Sequence, residues 1–439
     1  MDCPSEADWL EGRLNEFRRR LVHWFRKNAR DLPWRRDPTP YSVWVSEVML
    51  QQTQVEKVVG YYQRFLERFP RVEVLAAAPL EEVLRLWEGL GYYRRAVNLW
   101  KAAQIVAKDF AGQIPADLTL LCRLPGIGHY TAGAILSIGF GKPAPIVEAN
   151  SRRVLTRLTG LGKPSAGKDL DRKLWTIAAQ LLPRRHPGEF NQALMELGAL
   201  VCLPEKPLCL ICPVRQFCRA YQTGQFDLPA ANGARPVEHQ SVVVPVVIWG
   251  RKLLLRRCGP EERWAFLWDF PRLSDVSAED PAQLIHKHLA EPLGLKIRKV
   301  TDAGSLVHFV TRYRIKARII IVEVSPQSRP SAGQLGKRAA GLKTATGSAN
   351  LAAGSTTDGS IPALDTKAKA EAPQAGPVAS ERQALPRDSQ WQWINAEELH
   401  KLPLPAPSRK ISQIALDFRF GHGQPQRKIW HDQTRGSPK

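Results

Sequence analysis

The sequence predicts a two-domain soluble protein, an all-α first half followed by a smaller α/β or α+β domain. Three observations carry this reading. Residues 1–229 hold apolar residues at helical spacing, from Ser241 the pattern changes to β-branched runs of strand length, and four of the seven cysteines fall between residues 202 and 218. At 439 residues and 44% hydrophobic content, the chain is long enough for two cores. No apolar run approaches the roughly 20 residues that span a bilayer. The stretch Met1–Asp8 is acidic and polar, unlike a secretory signal, so a soluble intracellular location is expected. Lys plus Arg number 63 against 42 Asp plus Glu, a formal charge of +21, which calls for an anionic partner. The excess is split between the halves, so charge alone does not say which half meets the anion.

The elements follow in order. Val45, Val48, Met49, Val55, Val58, Tyr62 and Phe65 repeat at helical spacing between Pro40 and Pro70, predicting one helix over Ser42–Phe69. A further helix is expected over Asp117–Leu124, with Asp117 as its N-cap. Leu124-Pro125-Gly126-Ile127-Gly128 cannot continue it, and Thr131–Phe140 resumes an apolar helix. In the second half, Val242–Trp249 and Arg318–Val324 read as strands and Pro281–Leu293 as a helix. The expected boundaries are a first domain over 1–229, a linker over 230–240, a second domain over 241–420 and a basic tail over 421–439. Residues 326–390 contain no Phe, Tyr or Trp and cannot bury enough apolar surface to offset ordering. They are expected to form a disordered insertion.

Three features could carry chemistry. The glycines of the 124–128 turn permit positive φ and close backbone approach, and the helix that follows presents free N–H groups. That suits a phosphate, although a bare Pro-Gly-x-Gly is also an ordinary tight turn. Cys202, Cys209, Cys212 and Cys218 follow the spacing C-x6-C-x2-C-x5-C, unlike the spread, even-numbered cysteines of a short secreted chain. Four thiolates so spaced suit zinc or an iron–sulfur cluster. Glu47 lies on an apolar helix, where it either faces solvent or needs a partner or a raised pKa; a raised pKa would make it a general acid.

Taken together, the stretches WVSEVMLQQTQV (44–55), WEGLGYYRRAVNL (87–99), LPGIGHYTAGAI (124–135) and FNQALMELGALVC (190–202), with the four cysteines, resemble the adenine DNA glycosylases, the MutY family of the helix–hairpin–helix superfamily. The resemblance covers residues 20–225, and more weakly 240–325 and 391–411. It implies an all-α helix–hairpin–helix glycosylase domain with an iron–sulfur loop, then an α/β Nudix-like domain that reads 8-oxoguanine. The implied activity is monofunctional excision of adenine mispaired with 8-oxoguanine or guanine, with damaged or mispaired duplex DNA as partner, no membrane, and a monomeric, nucleoid-associated protein in a bacterium. In this reading the four cysteines bind a [4Fe–4S] cluster.

Site roles are implied in the same way. Glu47 protonates the flipped adenine and Glu148 stabilises the oxocarbenium-like sugar, with Tyr130 and Asn150 in support. Trp34, Arg35, Leu50 and Gln192 line the adenine pocket. Gln52 and Tyr92 form the wedge that fills the gap in the duplex, and Gly126 and Gly128 meet its backbone. Tyr130 stands where strand-cutting relatives such as endonuclease III carry a lysine; a phenol forms no Schiff base. Two departures from the family pattern stand out. Glu148 replaces the usual Asp, and an adjusted backbone around Ala149 is expected to absorb the extra methylene. Val310-Thr311-Arg312 replaces the F-S/T-H recognition loop, leaving Thr311 and Arg312 as the residues to meet the lesion. Arg263–Pro271, ending Trp268-Asp269-Phe270-Pro271, matches the family's W-E-F-P hallmark, whereas the acidic Nudix box is missing, so no nucleotide hydrolysis is expected.

Overall fold

A computed structural model describes residue 10 and residues 12–161, 168–226, 236–274, 280–325 and 391–420. The expected insertion at 326–390, the tail at 421–439 and most of the linker lie outside the described residues. The chain divides into two compact units at residues 234/235.

In the first unit the chain runs through α1 (Leu14–Asn28), α2 (Pro33–Arg36), α3 (Pro40–Leu50), α4 (Val55–Arg68), α5 (Val72–Ala77), α6 (Leu80–Leu86), α7 (Arg94–Asp109), α8 (Leu118–Arg123), α9 (His129–Ala134), α10 (Ala149–Thr159), α11 (Lys168–Leu181), α12 (Pro187–Leu200) and α13 (Arg219–Thr223). α1 buries Phe17, Leu21 and Phe25, one stripe at a four-residue spacing. Phe17 meets Phe190 of α12 and Phe217 edge-on, with ring centroids 6.3 and 5.6 Å apart. α3 is buried from Tyr41 to Met49, so it sits inside the unit and carries Ser46 and Glu47 inward. Pro40 presets its first turn, and Thr39 caps it by accepting from the Ser42 amide at 3.1 Å.

The single helix expected over Ser42–Phe69 is two helices. The chain turns at residues 51–54, where Gln52 adopts φ +54°. Carbonyls at the end of α3 find a partner in Arg95 of α7, whose Nη1 donates to Val48 O at 2.8 Å and Met49 O at 3.0 Å. The break was invisible to periodicity because α3 and α4 both carry apolar residues at the same spacing.

α8, the 124–128 turn and α9 form the hairpin, and Asp117 caps α8 through the Leu120 amide at 2.9 Å. Of the two glycines expected to use positive φ, only Gly126 does (φ +78°); a Cβ there would lie 2.8 Å from Asn98 Cβ of α7. Gly128, at φ −97°, has ordinary backbone geometry. α9 starts at His129, two residues earlier than expected, and passes into a π-helical turn over Ile135–Gly139. Side-chain bonds brace this turn: Ser137 Oγ donates to Gly133 O at 2.7 Å, and Asn191 of α12 donates to Ser137 Oγ at 3.0 Å.

The second unit is built on one mixed sheet. Its strands are β1 (Glu238–Trp249), β2 (Lys252–Arg257), β3 (Trp268–Asp269), β4 (Leu273–Ser274), β5 (Ile297–Val310), β6 (Tyr313–Val324) and β7 (Trp391–Asn395). The order is β3-β2-β1-β6-β5, with β4 beside β1 and β7 beside β2. β1 and β6 run parallel in the middle. One face buries Val242, Val244, Val246, Ile315 and Ile319 against Ile411 and Ala415 of a terminal helix, α16 (Ala406–Phe420 in the sequence). The other buries Val243, Val247, Ile320 and Val322 against the helical segment α14 (Pro281–Ile285), a π turn and α15 (Glu291–Leu293). Burial on both faces is why β1 and β6 read as unbroken β-branched runs. The sheet thus lies between two helical layers, the α/β alternative. β1 begins at Glu238, whose amide donates to Arg312 O at 2.9 Å, so the expected linker over 230–240 ends inside a strand.

Candidate active site

A cleft of about 480 Å³ opens in the first unit. Glu47, Tyr130, Glu148 and Asn150 all line it, from α3, α9 and the start of α10. Trp34, Arg35, Leu50, Gln52 and Gln192 line it too, so one cleft gathers residues spread over nearly 160 positions of chain.

Glu47 is 5% exposed, and Tyr130 Oη donates to its Oε2. Burial pushes this carboxyl up to about 7; the Tyr130 hydrogen bond and Arg35 pull down, while the charge of Glu148 pushes up. Burial and Glu47 together hold the Tyr130 phenol well above its ordinary range, so it remains a donor.

Glu148 is the N-cap of α10. Its Oε1 accepts from the Ser151 amide at 2.7 Å, its own amide donates to Ser151 Oγ at 2.9 Å, and its Oε2 accepts from Asn150 Nδ2 at 3.4 Å. Glu148 is extended (φ −127°, ψ −178°) and Ala149 opens α10. Its side chain curls back onto its own helix. Burial raises the Glu148 carboxyl, opposed by the amides of Asn150 and Ser151. Asn150 is fixed in turn: Arg153 Nη2 donates to its Oδ1 at 2.8 Å, and a Cβ on Gly198 of α12 would lie 2.7 Å from Asn150 Cβ. Arg153 also donates to Gly198 O and Cys202 O, both at 2.7 Å, so α10 links the cleft to the cysteine loop.

Two charged residues of the cleft, Arg30 and Glu196, were not among those expected from the sequence. Glu196 of α12 is 1% exposed and accepts from Arg30 Nη2 at 2.8 Å and Arg35 Nη2 at 2.9 Å. Burial would raise its carboxyl, but the hydrogen bonds from Arg30 and Arg35 outweigh that and bring it down to about 2. Arg35 therefore lines the cleft with part of its fork committed to Glu196. The signal was present, an acid inside the apolar stretch 190–202.

Other expected site residues lie elsewhere. Tyr92 is 44% exposed at φ +48°, while its neighbour Tyr93 is buried at 6%, which separates surface from core in that pair. Gly126 and Gly128 lie in the hairpin. In the second unit Thr311 and Arg312 form the two-residue turn between β5 and β6, with Thr311 at φ +53°, a conformation costly for a β-branched residue. Arg312 pairs with Glu238 Oε1 at 3.0 Å and donates to Tyr313 Oη at 3.1 Å. The guanidinium expected to meet a lesion is thus tied within its own unit.

Cys202, Cys209, Cys212 and Cys218, all free thiols, line one small cavity beside Val154, Leu197 and Arg157. Arg157 Nη1 lies 3.5 Å from Cys202 Sγ, and its fork donates to Leu203 O and Pro204 O, each at 2.6 Å. Burial pushes the Cys212 thiol to about 12 and that of Cys218 to about 11. The donor set fits a thiolate-bound cationic group: four sulfurs surround one cavity with guanidinium support. Among the described residues no three His, Cys, Asp or Glu groups meet the spacing for a single bound metal ion.

The buried acid, the second carboxylate and the hairpin accompany a match to a base-excision class of protein. The family described as HhH-GPD superfamily base excision DNA repair protein matches residues 45–180. More particularly, the chain belongs to the adenine DNA glycosylase family. It is 36% identical over 261 residues to the adenine DNA glycosylase of Buchnera aphidicola subsp. Acyrthosiphon pisum, covering 59% of this chain and 75% of that one. It is 42% identical over 257 residues to the adenine DNA glycosylase of Buchnera aphidicola subsp. Schizaphis graminum, covering 58% and 74%. The rat adenine DNA glycosylase is 47% identical over 235 residues, 51% of this chain and 46% of that one. The chain thus spans under half the length of the mammalian relatives it matches. No helix among the described residues is long and apolar enough to cross a membrane.

Proposed function

We propose that this protein is a monofunctional DNA glycosylase that hydrolyses the N-glycosidic bond of adenine mispaired with 8-oxoguanine or guanine. One observation carries the reading: a buried carboxyl poised near neutrality, Glu47, shares a cleft with a second carboxylate, Glu148. Adenine flipped from the duplex enters the cleft, and Glu47 gives its proton to a ring nitrogen while Tyr130 holds the carboxyl in place. The C–N bond breaks and its electron pair leaves with the base. Glu148, with Asn150, stabilises the positive charge left on the sugar until water adds to it and gives its proton to the Glu47 carboxylate. With Tyr130 in place of an amine, the reaction stops at the abasic site.

Cys202, Cys209, Cys212 and Cys218 would hold a [4Fe–4S] cluster, which cross-links the 202–218 loop. The second unit is read as a Nudix-like domain, which its sheet between two helical layers supports, and the β5–β6 turn with Thr311 and Arg312 is the part read as meeting the lesion.

The test incubates protein with duplexes holding adenine opposite 8-oxoguanine, guanine or thymine, treating half of each reaction with alkali. Strand breaks only after alkali, and only in the mispairs, are expected. Breaks without alkali would make the protein a lyase, and binding without breaks in either arm would make it a binding module.

A further inference from the structure

Gln52, which lines the cleft, and Tyr92 are exposed residues that hold left-handed backbone conformations without being glycine, at φ +54° and +48°. They sit on separate loops, one ending α3 and the other preceding α7. One side chain lies between these loops. Arg95 Nη1 donates to Val48 O, Met49 O and Gln51 O; Nη2 donates to Thr53 Oγ1 at 3.2 Å and Gly91 O at 3.1 Å; Nε reaches Tyr92 O at 3.4 Å. The guanidinium also lies 5.5 Å from the ring centroids of both Trp87 and Tyr92. All its donors are spent, on both loops at once. The Tyr92 loop is further held from α4, where Lys57 Nζ donates to Gly89 O and Tyr61 Oη to Glu88 O at 2.7 Å.

We propose that Arg95 is a positioning residue that locks Gln52 and Tyr92 into one preformed wedge, which enters the duplex and holds the target base outside the stack. The proposal rests on the reading of this protein as a base-flipping glycosylase and adds the device that makes flipping efficient. A strained conformation persists only where its surroundings over-determine it, and here one fork does so for both loops. Preforming the wedge removes the ordering cost from the encounter with DNA. Arg95 makes no hydrogen bond to Glu47 or Glu148, the cleft's two candidate catalytic carboxyls, and its bonds go to the segments that carry Gln52 and Tyr92.

The experiment uses the full chain and a duplex carrying the fluorescent adenine analogue 2-aminopurine opposite 8-oxoguanine, with binding followed in parallel by anisotropy. The parent protein is expected to brighten the probe on binding, as the base leaves the stack. Arg95→Met keeps a stem of similar length against Trp87, and should bind with little brightening. Its single-turnover excision should fall about 10²-fold on the paired duplex, yet less than about threefold when adenine sits in an unpaired bulge that needs no extrusion. Arg95→Lys keeps the charge but cannot span six acceptors, and should behave like Arg95→Met. Thermal unfolding shows whether either variant is folded, and whichever is folded serves as the test. Equal losses on paired and bulged substrates, full brightening by the folded variant, or rescue by lysine would each overturn the proposal. A parent protein that brightens the probe but releases no adenine would refute the glycosylase reading and leave the wedge standing; one that binds without brightening would refute the wedge.

Discussion

Glu47 sits where a carboxylate is least comfortable, and both its chemistry and its cost follow from that. Its proton is bound more tightly in the folded chain than in the unfolded one, with the pKa moving from 4.5 to about 7. Stability is therefore lost as pH rises from the unfolded value through 7, and the penalty is complete above it, on the order of 3 kcal/mol. Glu47→Gln, which is never charged, should melt higher than the parent at pH 8 and lose that advantage at pH 4, while base release falls by at least about 10²-fold. Scanning calorimetry at the two pH values with a single-turnover assay checks both; retained turnover would remove Glu47 from the mechanism. Because the acid must be protonated to act, excision should decline as pH rises through about 7. The Tyr130 hydrogen bond pulls Glu47 down, so Tyr130→Phe should move that limb to higher pH. A limb that stays or moves down would deny Tyr130 this role. Glu47 was legible because an acid in an apolar helix is conspicuous. Its partner was not, since Tyr130 lies 83 positions away and tyrosine is common in cores. Glu196 was missed for a related reason: nothing local showed that Arg30 and Arg35 would converge on it.

α10 has two jobs at the scale of the element. Its N-cap is Glu148, so one side chain both closes the helix and faces the cleft. Charge and cap can be separated. Glu148→Gln keeps an oxygen for the Ser151 amide and should leave the melting temperature nearly unchanged while cutting excision sharply. Glu148→Ala loses both, with about 0.5–2 kcal/mol of stability from the cap alone. If Glu148→Gln turned over like the parent, the charge of Glu148 would have no part in catalysis. The hairpin and the central strands were readable as elements, because Pro, Gly and β-branched runs act within a few residues. The break between α3 and α4 was not, because its partner Arg95 comes more than 40 positions later. β5 was likewise hidden: its mixed polar and apolar residues become a strand because β6 offers a partner along its whole length.

At the scale of the whole molecule, the charge of +21 and the four-cysteine loop give predictions that no single residue makes. Lys and Arg that neutralise phosphates release counterions, so duplex affinity should drop more than about tenfold between roughly 50 and 200 mM salt. Affinity flat across that range, measured by anisotropy, would assign the excess charge to another purpose. Purified protein should contain four irons and four acid-labile sulfides per chain if the 202–218 loop holds the cluster read from its cysteines. One zinc per chain and no sulfide would replace that reading, and Cys209→Ser should lower whichever metal content is found.

By itself the sequence determined the two-unit order, the all-α first half, the strand content of the second, the hairpin, the cysteine spacing and the candidate acid Glu47. Each is written within a short window by residue type, spacing or local backbone preference. Only the tertiary structure decided that Glu47 meets Tyr130, that Glu148 caps its own helix, that Arg35 is held by Glu196, and that one arginine joins the segment after α3 to the loop before α7. These contacts join residues on different elements or choose among side-chain conformations. A buried carboxyl's protonation depends on every charge and hydrogen bond that reaches it, and that environment exists only after the chain has folded.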